Sequence, residues 1–105
     1  MPKFVFAYHG GASDLSPEEG QALMAEWMTW IESMGEAVVD RGLAVGPSKT
    51  AGPEGIVDNG GANPLSGYSV IETTSLDMAL QLAAASPHIK IGGTIEVAPA
   101  LDIPM

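Results

Sequence analysis

The sequence predicts a single α+β domain in which two helices cover one face of an antiparallel sheet. Three observations lead there. Strand-like and helix-like segments alternate in the order strand, helix, strand or hairpin, strand, helix, strand; both long helical segments begin with capping residues; and 105 residues make room for one domain only. A chain of this length buries roughly 65% of the surface that its unfolded form exposes, so its core is thin.

The first strand is expected over residues 3–9, where aromatic and β-branched side chains run up to Gly10-Gly11. Alternation places Phe4, Phe6 and Tyr8 on one face and Val5 and Ala7 on the other, so both faces are apolar. Helices on one side and a partner on the other would cover such a sheet.

Ser16-Pro17-Glu18-Glu19 opens the first helix: Ser16 can cap, Pro17 suits the first turn, and Glu19 can close a capping box. Leu23, Trp27, Trp30, Ile31 and Met34 then follow helical spacing, with Met24 and Met28 widening the stripe, up to a stop at Gly35. Trp27 and Trp30 read as core, with the lining of a pocket as the alternative. Residues 37–46 fit either an extension of that helix or a new strand.

Residues 46–67 are too rich in glycine and proline for a long helix and suggest a short hairpin around Gly52-Pro53-Glu54-Gly55. A loop of this length in a small domain is usually functional or mobile. Another strand is expected over 68–73. Thr74, with Asp77 three residues on, then caps a second helix that runs to about Ala85, with Leu76, Ala79, Leu80, Leu82 and Ala83 as its apolar face. Pro87 ends it. The last strand spans 93–97, and Pro99 and Pro104 make the tail unsuitable for a central position. There is no internal repeat, and residues 1–105 read as one domain. This order is the split βαβ pattern of ferredoxin-like domains.

Composition narrows the function. Hydrophobic residues make up 46% of the chain and charged residues 16%, more apolar surface than a small interior hides easily, and a homodimer is the expected remedy. A formal charge of −9 would repel a polyphosphate backbone, so nucleic-acid binding is not expected. With no cysteine, disulfides and thiolate chemistry are excluded. The apolar run at 4–8 is too short for a signal segment or a membrane span, which points to a cytoplasmic protein without membrane contact.

Several strings together resemble the YCII-related family, which includes the Asp-Gly-Pro-Phe group of small bacterial proteins. They are Lys3 to Tyr8, the long first helix, Gly67-Tyr68-Ser69-Val70-Ile71-Glu72, Ser75-Leu76-Asp77-Met78-Ala79 and Gly93-Thr94-Ile95-Glu96-Val97. The resemblance implies a dimeric α/β barrel built from ferredoxin-like subunits. Where the Asp-Gly-Pro-Phe signature would fall, this chain has Asp58-Asn59-Gly60-Gly61-Ala62-Asn63-Pro64. One branch of the family resembles an enzyme with a histidine on the first helix and an Asp-Pro pair after the second. Here the helix has no histidine and Ser86-Pro87 replaces Asp-Pro, so that acid-base dyad does not carry over.

The candidate site residues rest on chemistry and position. His9 ends the first strand beside two glycines that would let a ligand approach, although a plain turn explains the same string. Ser48 and Lys49 could hold a small anion, or lie on a solvated hairpin. The run from Asn59 to Asn63 reads as a lid or as turn chemistry. Tyr68 could orient a ligand, and Glu72 is a carboxylate on the same strand face, with a hydrogen bond across the sheet as its plainer role. His88 lies where the family places polar site residues, and an exposed loop histidine is the plainer reading. With His9 and His88 the only imidazoles, no metal site is expected, and no cofactor motif is present: Gly46-Pro47-Ser48-Lys49-Thr50 lacks the glycines of a phosphate loop. Two functions follow. One is a dimeric module that binds a small metabolite or a protein; the other is a cofactor-free enzyme with His9 or His88 as general acid/base. The first predicts a pocket without a paired acid and base. A shared site of His9 with the 46–67 loop is expected in either case.

Overall fold

A computed structural model describes residues 1–104. Six strands and three helices follow in the order β1 (Lys3–His9), α1 (Pro17–Met34), β2 (Val38–Ala44), β3 (Thr50–Gly52), β4 (Gly55–Val57), β5 (Leu65–Glu72), α2 (Leu76–Ala84), α3 (Pro87–Lys90) and β6 (Thr94–Pro99). The main sheet has four strands in the order β2-β5-β1-β6, with every neighbouring pair antiparallel. β3 and β4 form a separate hairpin.

The first helix starts as its sequence dictates. The Glu19 backbone N–H donates to Ser16 Oγ and the Ser16 N–H to Glu19 Oε1, both at 3.1 Å, which satisfies two donors that a helix start leaves open. The Ser16 backbone bond, followed by the Ser16 hydroxyl, holds the Glu19 carboxyl below its ordinary range. Gly35 ends the helix at a positive φ of 56°, and a short 3-10 turn over Gly35–Ala37 leads directly into β2. Residues 38–44 are thus a strand, which resolves the ambiguity in this stretch.

The core lies between the helices and one sheet face, where Phe4, Phe6 and Tyr8 meet Trp30, Ile31 and Met34 of α1, Ile71 of β5, and Ala79 and Ala83 of α2. Phe6 and Ile71 are fully buried, each worth about 1.5–3 kcal/mol relative to exposure. The Trp30 indole N–H closes the layer by donating to the Leu82 carbonyl at 3.0 Å.

Five local expectations differ from the structure. Ser75, not Thr74, caps α2, because the chain is still extended at Ser75 and its Oγ accepts from the Met78 N–H. Leu76 and Leu80 do not face the core; they are 43% and 46% exposed, and the short Ala79 and Ala83 pair supplies the contact instead. Pro87 opens a further helical turn, α3, rather than merely ending α2. β5 also begins earlier than expected, at Leu65, and β6 extends to Pro99, which an edge strand tolerates.

Two surfaces are left open. On the sheet face away from the helices, Val5 and Ala7 of β1 sit opposite Val70 and Tyr68 of β5, with the Lys3 and Glu72 pair at one end. The β3–β4 hairpin is exposed along its whole length and leaves Ile56 74% exposed. Among the described residues no helix is long and apolar enough to cross a membrane.

Candidate small-molecule cleft

The apolar stripe of α1 does two jobs. Its C-terminal half, with Trp30, Ile31 and Met34, enters the core, while Gly20, Leu23, Met24 and Trp27 overhang a cleft of about 330 Å³. Residues 41–44 of β2 and 66–68 of β5 form the opposite wall, and Tyr8 and His88 complete the lining. That volume lies at the lower end of the range for small-molecule sites.

β2 shapes the wall through a bulge at Gly42, where the register against β5 shifts. Gly42 has φ +75°, its N–H bonds to Asp40 Oδ1 at 2.8 Å, and a Cβ there would collide with the Tyr68 carbonyl. Beneath the bulge, the Tyr8 hydroxyl donates to Ser69 Oγ at 2.8 Å, and Ser69 Oγ donates to the Arg41 carbonyl at 2.7 Å. This chain of bonds ties β1, β5 and β2 together. Burial pushes the Tyr8 phenol up to about 12, so Tyr8 is a neutral donor at physiological pH.

His88 is not an exposed loop histidine; it is only 7% exposed. Its N–H is held by Ser86 Oγ at 3.1 Å, and its Nε2–H donates to the His9 carbonyl at 2.9 Å. Its ring meets Tyr8 and Trp27 edge-on, with centroids 5.5 and 6.4 Å apart. A Cβ at Gly93 would strike the ring, and one at Gly11 would come within 2.9 Å of it. The glycine after the His9-Gly10 pair thus makes room for His88 rather than for a ligand.

The His9 side chain belongs elsewhere. Its Nδ1 is 3.0 Å from the Asn63 backbone carbonyl and its Nε2 is 3.1 Å from Glu96 Oε1. His9 therefore does meet the 46–67 segment, through Asn63, as the sequence suggests. Lys49 instead pairs with Asp58 at 2.6 Å in the exposed hairpin region, and Ser48 packs against Gly60. Glu72 lies at the far end of β5 from the cleft, opposite Lys3. Of the predicted site residues, the structure thus brings His88 to the cleft, where Tyr68 contributes its backbone beside Gly42 while its strand position faces the outer side with Val5 and Ala7; it gathers His9 and Asn63 at the sheet end and leaves Ser48, Lys49 and Glu72 apart.

Sequence reasoning missed Ser66, Arg41 and Gly42. A polar residue inside a strand and a glycine in an ambiguous one carry no distinctive pattern. Leu23, Met24 and Trp27 were visible as part of a stripe but not as its uncovered half. Ser66 stands out chemically: its Oγ is buried and has no hydrogen-bond partner among the described residues. The lining includes no carboxylate, and Arg41 is its one charged side chain. Among the described residues no cluster of three metal-ligating side chains occurs. No protein-family model and no curated protein matches this chain.

Proposed function

We propose that the chain is a homodimeric, ferredoxin-like module that binds a small organic molecule in the cleft between α1 and the β2–β5 edge. The single observation that carries the binding role is a cleft walled by Leu23, Trp27, Tyr8 and His88, apolar over most of its surface. Such a mixture of apolar wall and few polar groups is what small-molecule sites use. The ferredoxin-like reading is supported by the strand order: among the main-sheet strands, the fourth, first, third and second lie side by side, with antiparallel neighbours. Membership of the YCII-related family rests on the strings quoted above, and a cytoplasmic location on composition.

The dimer reading rests on the uncovered sheet face with Val5, Ala7 and Val70. Two such faces packed together as a dimeric α/β barrel would bury roughly 800 Å² per partner. Light scattering at micromolar concentration is expected to give the dimer mass; the monomer mass would end the dimer reading.

A catalytic alternative draws on the His9 and Glu96 pair at 3.1 Å, an acid and a base side by side. It has weaker support, because that pair is not part of the cleft lining and the Nε2 proton of His88 is committed to a carbonyl. A protein partner on the sheet face is the other alternative. The binding role is tested by titrating a metabolite library while following tryptophan fluorescence. A true ligand is expected to change the signal of the wild type and to lose most of that change in Trp27→Phe, since Trp30 is buried and bonded away from solvent. An unchanged response in Trp27→Phe would place the ligand outside the cleft.

A further inference from the structure

We infer that His9 is a proton-dependent clasp, which in its charged form ties the segment over residues 46–67 to the end of the main sheet and in its neutral form releases it. The clasp is independent of the ligand cleft.

Acceptors face the ring on both sides. Nδ1 lies 3.0 Å from the Asn63 backbone carbonyl and Nε2 lies 3.1 Å from Glu96 Oε1. A carbonyl only accepts, and so does an ionised carboxylate, so both ring nitrogens have to donate, which the imidazolium alone can do. A neutral ring satisfies one contact at a time. A bond to a carboxylate is roughly twice as strong as one to a neutral acceptor, so the single proton stays on Nε2 and the Nδ1 lone pair then opposes the Asn63 carbonyl. The His9 side chain is only 13% exposed, which leaves water little room to mend that contact.

The segment depends on this tie. Its own bonds stay within it: Thr50 Oγ1 donates to the Asn59 carbonyl, the Gly61 N–H donates to Asn59 Oδ1, and Lys49 pairs with Asp58. His9 is the side chain that joins it to β1. Around His9, β6 contributes Glu96, the β5 ladder sets Leu65 opposite, and α3 brings His88, whose Nε2–H bonds to the His9 carbonyl. That bond uses one proton, which His88 keeps in its neutral and its charged form alike, so His88 does not share the switch. Histidine changes charge between about pH 5 and about pH 8, so the clasp is complete at the acidic end and opens as pH rises.

The test records the histidine ring nitrogen shifts and the backbone heteronuclear NOEs of Ala62 and Asn63 in the full chain, at about pH 5 and about pH 8. At the lower pH both His9 nitrogens are expected to carry protons, and the two NOEs to match those of the β5 amides. At the higher pH the one remaining proton is expected on Nε2, and the NOEs to fall to the level of the exposed Gly52 to Gly55 turn. Glu96→Gln should remove this response: the introduced amide can donate to Nε2, so the neutral ring keeps its proton on Nδ1 for Asn63 and the NOEs stay high at both values. That variant is expected to fold, because the Glu96 side chain is 71% exposed on an edge strand. Equal NOEs at the two pH values in the wild type, a neutral His9 with its proton on Nδ1, or the same pH response in Glu96→Gln would overturn the clasp, and none of these results depends on whether the cleft binds a ligand.

Discussion

Gly42→Ala is expected to cost about 2–5 kcal/mol of stability, a large part of what a domain of this size has. Two penalties combine. Alanine is strained at φ +75°, at about 1–3 kcal/mol, and its methyl would enter the space of the Tyr68 carbonyl. That carbonyl is backbone within β5, so it cannot swing aside as a flexible side chain would. Relief requires undoing the bulge, which carries the cleft wall and the Asp40 bond. Urea unfolding measures the loss. Gly20→Ala is the control: it lies within α1, a Cβ there meets nothing within 4 Å, and alanine should stabilise the helix by up to about 1 kcal/mol. A loss below about 1 kcal/mol for Gly42→Ala would mean that the bulge can be rebuilt.

Trp30→Ala is expected to cost about 3–5 kcal/mol, as large-to-small changes in a packed core do. Trp30 is 5% exposed, stacks on Phe6 with centroids 6.4 Å apart, and its loss also leaves the Leu82 carbonyl without that bond. Trp27→Ala should cost about half as much, since Trp27 is half-buried and borders the cleft. Equal losses at the two positions would make Trp27 a core residue and take away the aromatic wall.

The two tryptophans also mark how far the sequence could be read. Their spacing places both on the apolar stripe of α1, and that is correct. Spacing cannot say which part of a stripe is covered, because that depends on where the opposing strand bends away. The bend is set by Gly42, which lies in the stretch 37–46 that fits helix or strand equally well. Local chemistry was more legible: the Ser16 to Glu19 capping box, the stop at Gly35, the face of β1 with Phe4, Phe6 and Tyr8, and the Gly52 to Gly55 turn all follow from a few neighbouring residues.

The histidines divide the same way. A contact between His9 and the 46–67 segment follows from a strand end and a long glycine-rich loop meeting at one sheet edge, and the Asn63 bond supplies it. The burial of His88 could not be read, since it needs Gly11 and Gly93, far apart in sequence, to make space for one ring. Ser66 is the hardest case: an unpartnered hydroxyl is a property of the assembled structure, and a serine in a strand looks the same whether bonded or not.

The proposed binding role stands or falls with the cleft beside Trp27 and Tyr8. Crystals of the protein soaked with a mixture of small aromatic molecules test it directly. Density for a flat ring is expected between Trp27 and the β2–β5 wall. Soaked molecules found only on the outer sheet face or the β3–β4 hairpin, with this cleft holding water alone, would contradict it.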